Sequence, residues 1–187
     1  MSKLSLLILT LVLLTTTVFA QEGKPEPERY SGVAVGTGGA VGGKTLNFDF
    51  RITSYTPDED VQQLAALLKD KGQDALRSAL EKMDRGRVNP VMTTGTPIAV
   101  ARKKQVGNQT VITIVTARYL SFAELWRSSR TTDYPFGFMQ FTLNEKGEGT
   151  GQIMVAAKIR FDKKKGNYEI ESYGNQYIKA VNVRPSK

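Results

Sequence analysis

The segment from Tyr119 to Phe136 concentrates side chains that can bind a ligand. It holds the single tryptophan, further aromatic residues and two arginines. Aromatic rings stack on sugar rings, and guanidinium groups pair with phosphate or carboxylate. The candidate ligand-binding residues are therefore Trp126, Arg127, Arg130, Asp133 and Tyr134. In the alternative interpretation, a short helix beginning at Ser121 plugs one end of a sheet, and Arg130 pairs locally with Asp133.

Two basic clusters form a second candidate site, for anions. Their members are Arg102, Lys103 and Lys104 near one predicted hairpin turn, and Lys163, Lys164 and Lys165 near another. If both turns point the same way, the clusters make one positive patch for anionic lipid or acidic glycan. Aromatic residues are not interleaved with them, so no specific nucleic-acid binding is expected. The alternative is that these cations only keep hairpin tips soluble.

The charge of the chain is unevenly distributed. Residues 21–100 carry 10 basic and 11 acidic side chains, whereas residues 101–187 carry 15 basic and 7 acidic ones. All the excess positive charge thus lies in the C-terminal half. Such a bias favours anionic partners, which is why we consider anionic envelope material as the ligand.

The chain contains no histidine and no cysteine, which excludes much catalytic chemistry. Ser-His-Asp and Cys-His nucleophile systems and ordinary zinc sites need these residues. We predict no catalytic residue, no metal ligand and no cofactor. The favoured function is a non-enzymatic binding or scaffolding domain. The alternative is a carboxylate-dependent hydrolase acting on envelope material, with its acid–base candidates being Asp49, Glu124, Asp133, Glu169 and Glu171.

The stretch from Gly38 to Thr45 matches the Gly-x-x-x-x-Gly-Lys-Thr pattern of a phosphate-binding P-loop. A P-loop is followed by a helix whose N-terminal amides bind phosphate. Residues 46–53 instead alternate between apolar and polar types, which predicts a strand. We therefore interpret the glycine-rich stretch as a hairpin loop and expect no nucleotide binding.

The first 20 residues have the features of a secretory signal peptide. Lys3 precedes an uncharged run from Leu4 to Ala20, and Val18 and Ala20 suit a signal peptidase. Cleavage after Ala20 places the mature chain outside the cytoplasm, in the periplasm or secreted. An uncleaved anchor is the alternative, because the 17-residue run is at the lower limit for spanning a bilayer. Apart from this segment, no membrane span is predicted.

Residues 21–29 are polar and contain prolines, and we expect them to be a flexible leader to a single domain over residues 30–187. The fold class is predicted to be α+β. About eight mainly antiparallel strands should form a curled or barrel-like sheet, with a helical hairpin inserted after the second strand. The predicted strands are 30–36, 46–53, 98–106, 110–120, 136–144, 152–161, 168–173 and 177–183.

The predicted helical hairpin begins at a capping box. Thr56 and Glu59 have the spacing of that motif, and Pro57 suits the first helical position. Two apolar stripes follow, and their members are Val61, Leu64, Ala65, Leu68, Leu76, Ala79, Leu80 and Met83. We expect this apolar face to pack on the sheet.

Four motifs are spread over most of the mature chain. They are Thr56 to Glu59, Gly72 to Leu80, Arg127 to Phe136, and Tyr173 to Val183. Together they resemble an uncharacterised family of small secreted bacterial proteins. The resemblance implies export. It implies no activity, because these motifs have no assigned chemistry.

Overall fold

Ten strands and two helices form an α+β fold in the part of the chain that the computed structural model describes. The described residues are 26–37, 42–90, 94–120, 132–175 and 178–186. The strands make one sheet that curls into a half-barrel, and all its pairings are antiparallel. The predicted fold class is confirmed at this level. The predicted signal peptide lies outside the described residues.

The strands follow the order β4-β3-β2-β1-β10-β8-β7-β6-β5 across the sheet, with β9 paired to β8. Their bounds are β1 Glu28–Gly36, β2 Thr45–Ile52, β3 Gly86–Pro90, β4 Thr96–Pro97, β5 Val100–Val106, β6 Gln109–Thr116, β7 Phe136–Leu143, β8 Gly149–Asp162, β9 Asn167–Ser172 and β10 Ile178–Pro185. The helices are α1 Asp58–Lys71 and α2 Gln73–Leu80.

Each of the eight predicted strands overlaps an observed one, and two strands were not predicted. Strand β3 carries one large buried side chain, Val88, between Arg87 and Asn89. Its residue types show no clear apolar–polar alternation in the sequence, although their burial alternates in the structure. It becomes a strand because it pairs with β2, from Phe48 opposite Pro90 to Ile52 opposite Gly86. Strand β4 is only two residues long.

The segment between β4 and β5 contacts both ends of the sheet order. The Ile98 N–H donates to the Gly86 carbonyl of β3 at 2.8 Å, and the Ala99 N–H donates to the Val115 carbonyl of β6 at 2.9 Å. These two bonds require β3 and β6 to approach each other, and the sheet therefore curls.

The concave side of the sheet is filled with apolar side chains. Phe48, Phe50 and Phe141 stack there, with 4.7 Å between the ring centroids of Phe50 and Phe141. Tyr30 stacks on Phe50 at 4.9 Å. The alternation predicted for residues 46–53 thus places its large side chains inside, and strand β2 begins at Thr45 where a P-loop would begin its helix.

The two helices pack on the sheet, as predicted, and they lie on the side opposite the stacked phenylalanines. Leu68, Leu76 and Leu80 are buried against a cluster that includes Phe136 and Ala157. Leu64 is only partly buried there. Within the described chain, neither helix has the length and apolar character needed to span a bilayer.

The predicted capping box of α1 is wrong. The helix begins at Asp58 and its N-terminus has no side-chain cap. Thr56 is buried, and its Oγ1 accepts a hydrogen bond from the Ala101 N–H at 3.1 Å. Its own N–H donates to the Ala101 carbonyl at 2.8 Å. Thr56 is therefore used to pair the loop with β5, and the acidic first turn alone complements the helix dipole.

The second half of β8 and all of β9 form a two-stranded extension, residues 157–172, which we call the β8–β9 arm. Among the described strands, β9 pairs with β8 alone. One face of the arm lies on α1. The Tyr168 hydroxyl donates to the Ala65 carbonyl at 3.0 Å, and the Lys69 ammonium lies 5.4 Å from the centroid of the Phe161 ring.

Candidate functional site

The predicted ligand segment is described only at its C-terminal end. Trp126, Arg127 and Arg130 lie outside the described residues, while Asp133 and Tyr134 lie just before β7. The Asp133 carbonyl accepts a hydrogen bond from Gln73 Nε2 at 3.1 Å, which ties this end of the segment to α2.

Tyr134 lies against the face of the arm that points away from α1. Its hydroxyl donates to Glu171 Oε1 at 2.8 Å, and its ring makes an edge contact with Tyr173 at 5.4 Å. The Lys158 ammonium lies 5.9 Å from the Tyr134 ring centroid. The hydrogen bond to Glu171 raises the pKa of the Tyr134 hydroxyl. This end of the predicted ligand site therefore meets the arm.

Cross-strand ion pairs occupy the same face of the arm. Arg160 lies opposite Glu169, and their charged atoms are 2.9 Å apart. Glu169 also pairs with Lys165 at 2.7 Å. The hydrogen bond from Lys165, together with Arg160, holds the pKa of the Glu169 carboxyl below its usual value and outweighs burial. The Glu169 carboxylate is thus ionised and already bound by two cations.

Two other candidate carboxylates of the hydrolase hypothesis also have partners. Glu171 accepts the Tyr134 hydroxyl, and Asp49 Oδ1 accepts Asn89 Nδ2 at 2.9 Å. Glu124 lies outside the described residues. Glu169 and Glu171 lie on the face of the arm that points away from α1. Glu169 pairs with Arg160 and Lys165, whereas Glu171 binds Tyr134. In the described chain, no group of three or more acidic residues has an arrangement that could hold a metal ion.

Three of the six predicted anion-binding cations are paired with carboxylates. Arg102 pairs with Asp58 and donates to the Thr56 carbonyl at 2.7 Å. Lys103 pairs with Glu28 at 3.0 Å. Lys165 pairs with Glu169, and the hydrogen bond to Glu169 raises the pKa of the Lys165 ammonium.

The remaining three, Lys104, Lys163 and Lys164, are exposed and have no carboxylate partner among the described residues. Lys163 and Lys164 lie in the turn at the tip of the arm. Asp162 fixes this turn, because its Oδ1 accepts the Lys164 N–H at 2.8 Å and the Lys165 N–H at 3.2 Å. These two bonds hold the pKa of the Asp162 carboxyl below its usual value.

The structure also contains a cluster that the sequence did not reveal, the Glu28 cluster of Glu28, Tyr30, Tyr55 and Lys103. Glu28 Oε2 accepts both phenolic hydroxyls at 2.8 Å, and Lys103 lies 3.0 Å from Oε1. Burial raises the pKa of the Glu28 carboxyl, but the hydrogen bonds from Tyr55, Lys103 and Tyr30 outweigh it and the pKa is lowered.

Burial and the Glu28 carboxylate raise the pKa of both tyrosines well above their usual value. Glu28 is consequently an ionised carboxylate whose charge is compensated by Lys103 and by two phenolic donors. Such a carboxylate suits a structural role, holding these segments together, better than the role of a proton acceptor. Glu28 and Lys103 are 75 positions apart in the chain, so no local spacing could have indicated their contact.

Comparisons of the chain with known protein families, with curated proteins and with solved structures gave no match.

Proposed function

We propose that this protein is a non-enzymatic, extracytoplasmic binding or scaffolding domain that recognises anionic material of the cell envelope through the tip of the β8–β9 arm. The observation that carries the proposal is the pair of exposed lysines, Lys163 and Lys164, which have no carboxylate partner among the described residues. The Asp162 turn presents both of them at the tip of the β8–β9 arm.

The surroundings of the tip support the same conclusion. Lys69 of α1 lies over the Phe161 ring, so a third ammonium group stands near the arm. Tyr168 packs on Phe161 with ring centroids 5.0 Å apart and remains 46% exposed. Aromatic residues with one polar end favour the interface between water and an apolar or sugar surface. The arm thus combines positive charge with an amphipathic ring.

The ligand chemistry that fits the tip is phosphate or carboxylate, as carried by an anionic lipid surface or an acidic glycan. Each lysine near an anionic surface contributes about 1 kcal/mol to binding, and the attraction decays within a Debye length. We expect weak, salt-sensitive binding without sequence specificity. The signal-peptide features of residues 1–20 support an extracytoplasmic location, where such material occurs. The basic C-terminal half supports an anionic partner.

The carboxylate-dependent hydrolase is the less favoured alternative. Such an enzyme needs one carboxylic acid and one carboxylate that flank the scissile bond. Glu169 is bound by Arg160 and Lys165, and Glu171 by Tyr134. These partners favour a surface stabilised by ion pairs over an acid–base pair.

Cosedimentation tests the proposal. The purified protein is mixed with phosphatidylcholine vesicles, with vesicles containing phosphatidylglycerol, and with polygalacturonate. The double variant Lys163→Glu/Lys164→Glu should bind the anionic targets at least about thirtyfold more weakly, since two attractions of about 1 kcal/mol are lost and two repulsions are added. Lys103 stays unchanged in this variant because its reversal would break the Glu28 cluster.

The matched control is Lys82→Glu/Lys146→Glu, which reverses two other exposed lysines and gives the same net charge. It should retain most of the binding. Equal loss in both variants would show that only net charge matters and would contradict a site on the arm. Failure of the wild type to bind either anionic target at low salt would refute the proposed function.

A further inference from the structure

Strand β10 changes register at Asn182 against both of its neighbours. On the β1 side, Val181 lies opposite Val33 and Arg184 lies opposite Ser31. On the β8 side the pairing is also interrupted, between Ala180 and Val183. Asn182 is thus an extra residue, and its φ of 53° makes it the one non-glycine residue with a positive φ in the described chain. Bulges of this kind re-aim side chains and are common beside binding sites.

The bulge forms one wall of an open groove with a volume of about 660 Å³, which we call the Asn182 groove. This volume lies in the range of small-molecule sites. The polar side chains that line the groove are Ser31, Asn47, Asp49, Glu148, Asn182 and Arg184. They come from β1, β2, β10 and the turn between β7 and β8.

Most of this polar lining is not used within the fold. Among the described residues, the side chains of Asn47, Glu148, Asn182 and Arg184 make no hydrogen bond or ion pair. Asp49 uses one oxygen, Oδ1, to accept from Asn89. The groove therefore presents two carboxylates, two amides and one guanidinium group to whatever enters it.

The charges and hydrogen-bonding groups select the class of ligand. Asp49 and Glu148 outnumber Arg184, so the groove repels the phosphate and carboxylate groups that suit the arm. The carboxylates can accept hydrogen bonds from hydroxyls, and the amides and the guanidinium can donate to hydroxyl and ring oxygens. A neutral polyhydroxyl compound matches every one of these groups. We propose that the Asn182 groove is a binding site for a neutral saccharide.

This site is separate from the one under Proposed function. Gly149 at the groove and Asp162 at the tip of the arm are the two ends of β8, about 40 Å apart along an extended strand. The two sites have opposite charge preferences. Either proposed site can therefore exist without the other.

An NMR titration tests the inference. Amide signals of the ¹⁵N-labelled protein are followed while cellohexaose, maltohexaose or chitohexaose is added to millimolar concentration. At least one of the three should shift the signals of Asn182, Asn47 and the 148–149 turn. The variant Asn182→Gly removes the amide side chain but keeps a residue that adopts a positive φ without strain, so the fold should persist. It should weaken binding at least tenfold.

Arg184→Gln, which alters an exposed side chain, should weaken binding as well, and it serves as the second variant if Asn182→Gly unfolds. Lys163→Glu/Lys164→Glu should leave the affinity unchanged, because the arm is remote. The inference is overturned if none of the three oligosaccharides shifts the groove signals. It is also overturned if Asn182→Gly, when folded, and Arg184→Gln both bind as tightly as the wild type.

Discussion

Tyr55 donates its phenolic hydrogen to Glu28 Oε2 at 2.8 Å, and this bond joins the loop before α1 to the first residue of β1. Tyr30 and Lys103 bind the same carboxylate from β1 and β5. Glu28 thereby ties the start of strand β1 to β5 and to the loop before α1. It also explains why β1 begins two residues earlier than the predicted Tyr30, inside what the sequence had indicated as leader.

Removing the Tyr55 hydroxyl should destabilise the protein. The Glu28 side chain is 35% exposed, so solvent screens the bond, and Tyr55→Phe should cost about 1 kcal/mol, as for an ordinary hydrogen bond rather than a fully buried one to a charged group. Urea denaturation at neutral pH measures this loss. Tyr168→Phe is the control, because its hydroxyl binds an exposed backbone carbonyl and should matter less. A Tyr55→Phe protein as stable as the wild type would contradict this structural role of Glu28.

The Glu28 cluster should also make stability depend on pH. The folded-state pKa of Glu28 lies below its ordinary value of 4.5, so the unfolded chain binds the proton more readily. Its contribution is fully present above that ordinary value and is lost as the pH falls through the lowered folded-state pKa.

The variant Glu28→Gln tests this dependence. The gap in unfolding free energy between wild type and variant should be widest at neutral pH and should shrink below about pH 4.5. Asp162 and Glu169 also have lowered pKa values, but both proteins contain them, so their effects cancel in the difference. A gap that stays constant from neutral pH to about pH 3 would show that the carboxylate charge is not involved.

Packing of the helices on the sheet should depend on Leu68. It is the one buried residue of α1, with 5% of its surface exposed. Leu68→Ala should lower the unfolding free energy by about 2–5 kcal/mol, since it leaves a cavity against the sheet. The exposed Gln62 on the same helix gives the control, and Gln62→Ala should change stability by less than about 0.5 kcal/mol. Similar losses in both variants would contradict the packing described.

The pairing of β3 with β2 should depend on Gly86. Its φ is 133°, and a Cβ at this position would overlap the Arg51 carbonyl oxygen. Gly86→Ala should therefore cost about 3 kcal/mol or more. Gly107 also has a positive φ, 58°, but nothing lies near its would-be Cβ, so Gly107→Ala should cost about 1 kcal/mol. Thermal unfolding of the two variants compares them, and equal shifts would contradict the close approach at Gly86.

Local order could be predicted from the sequence because it depends on near neighbours. The alternation around Phe48 and Phe50 and the apolar stripe through Leu68 and Leu76 require only a period of two or 3.6 residues. Strand β3 lacks such a period. It is a strand because β2 supplies its hydrogen-bonding partners, and that information is not contained in its own residues.

The site could be predicted only in part, for a similar reason. Lys163 and Lys164 were placed correctly at a hairpin turn, because the stretch from Asp162 to Asn167 has turn-forming residues. Whether a cation is free depends on which carboxylate faces it across the fold. Lys103 meets Glu28 only through the tertiary arrangement. The sequence therefore could not show which cations of the predicted anion patch pair with carboxylates and which do not.

Binding of anionic material at the tip of the β8–β9 arm is measured most directly by NMR shift mapping. The ¹⁵N-labelled protein is titrated with hexameric oligogalacturonate and with short-chain phosphatidylglycerol, first at about 0.01 M and then at about 0.15 M salt, where the Debye length falls from about 30 Å to 8 Å. We predict that the largest shifts fall on residues 162–167, and that they shrink at the higher salt. Shifts centred on β5 or on the Asn182 groove, or no shifts at the lower salt, would contradict the account.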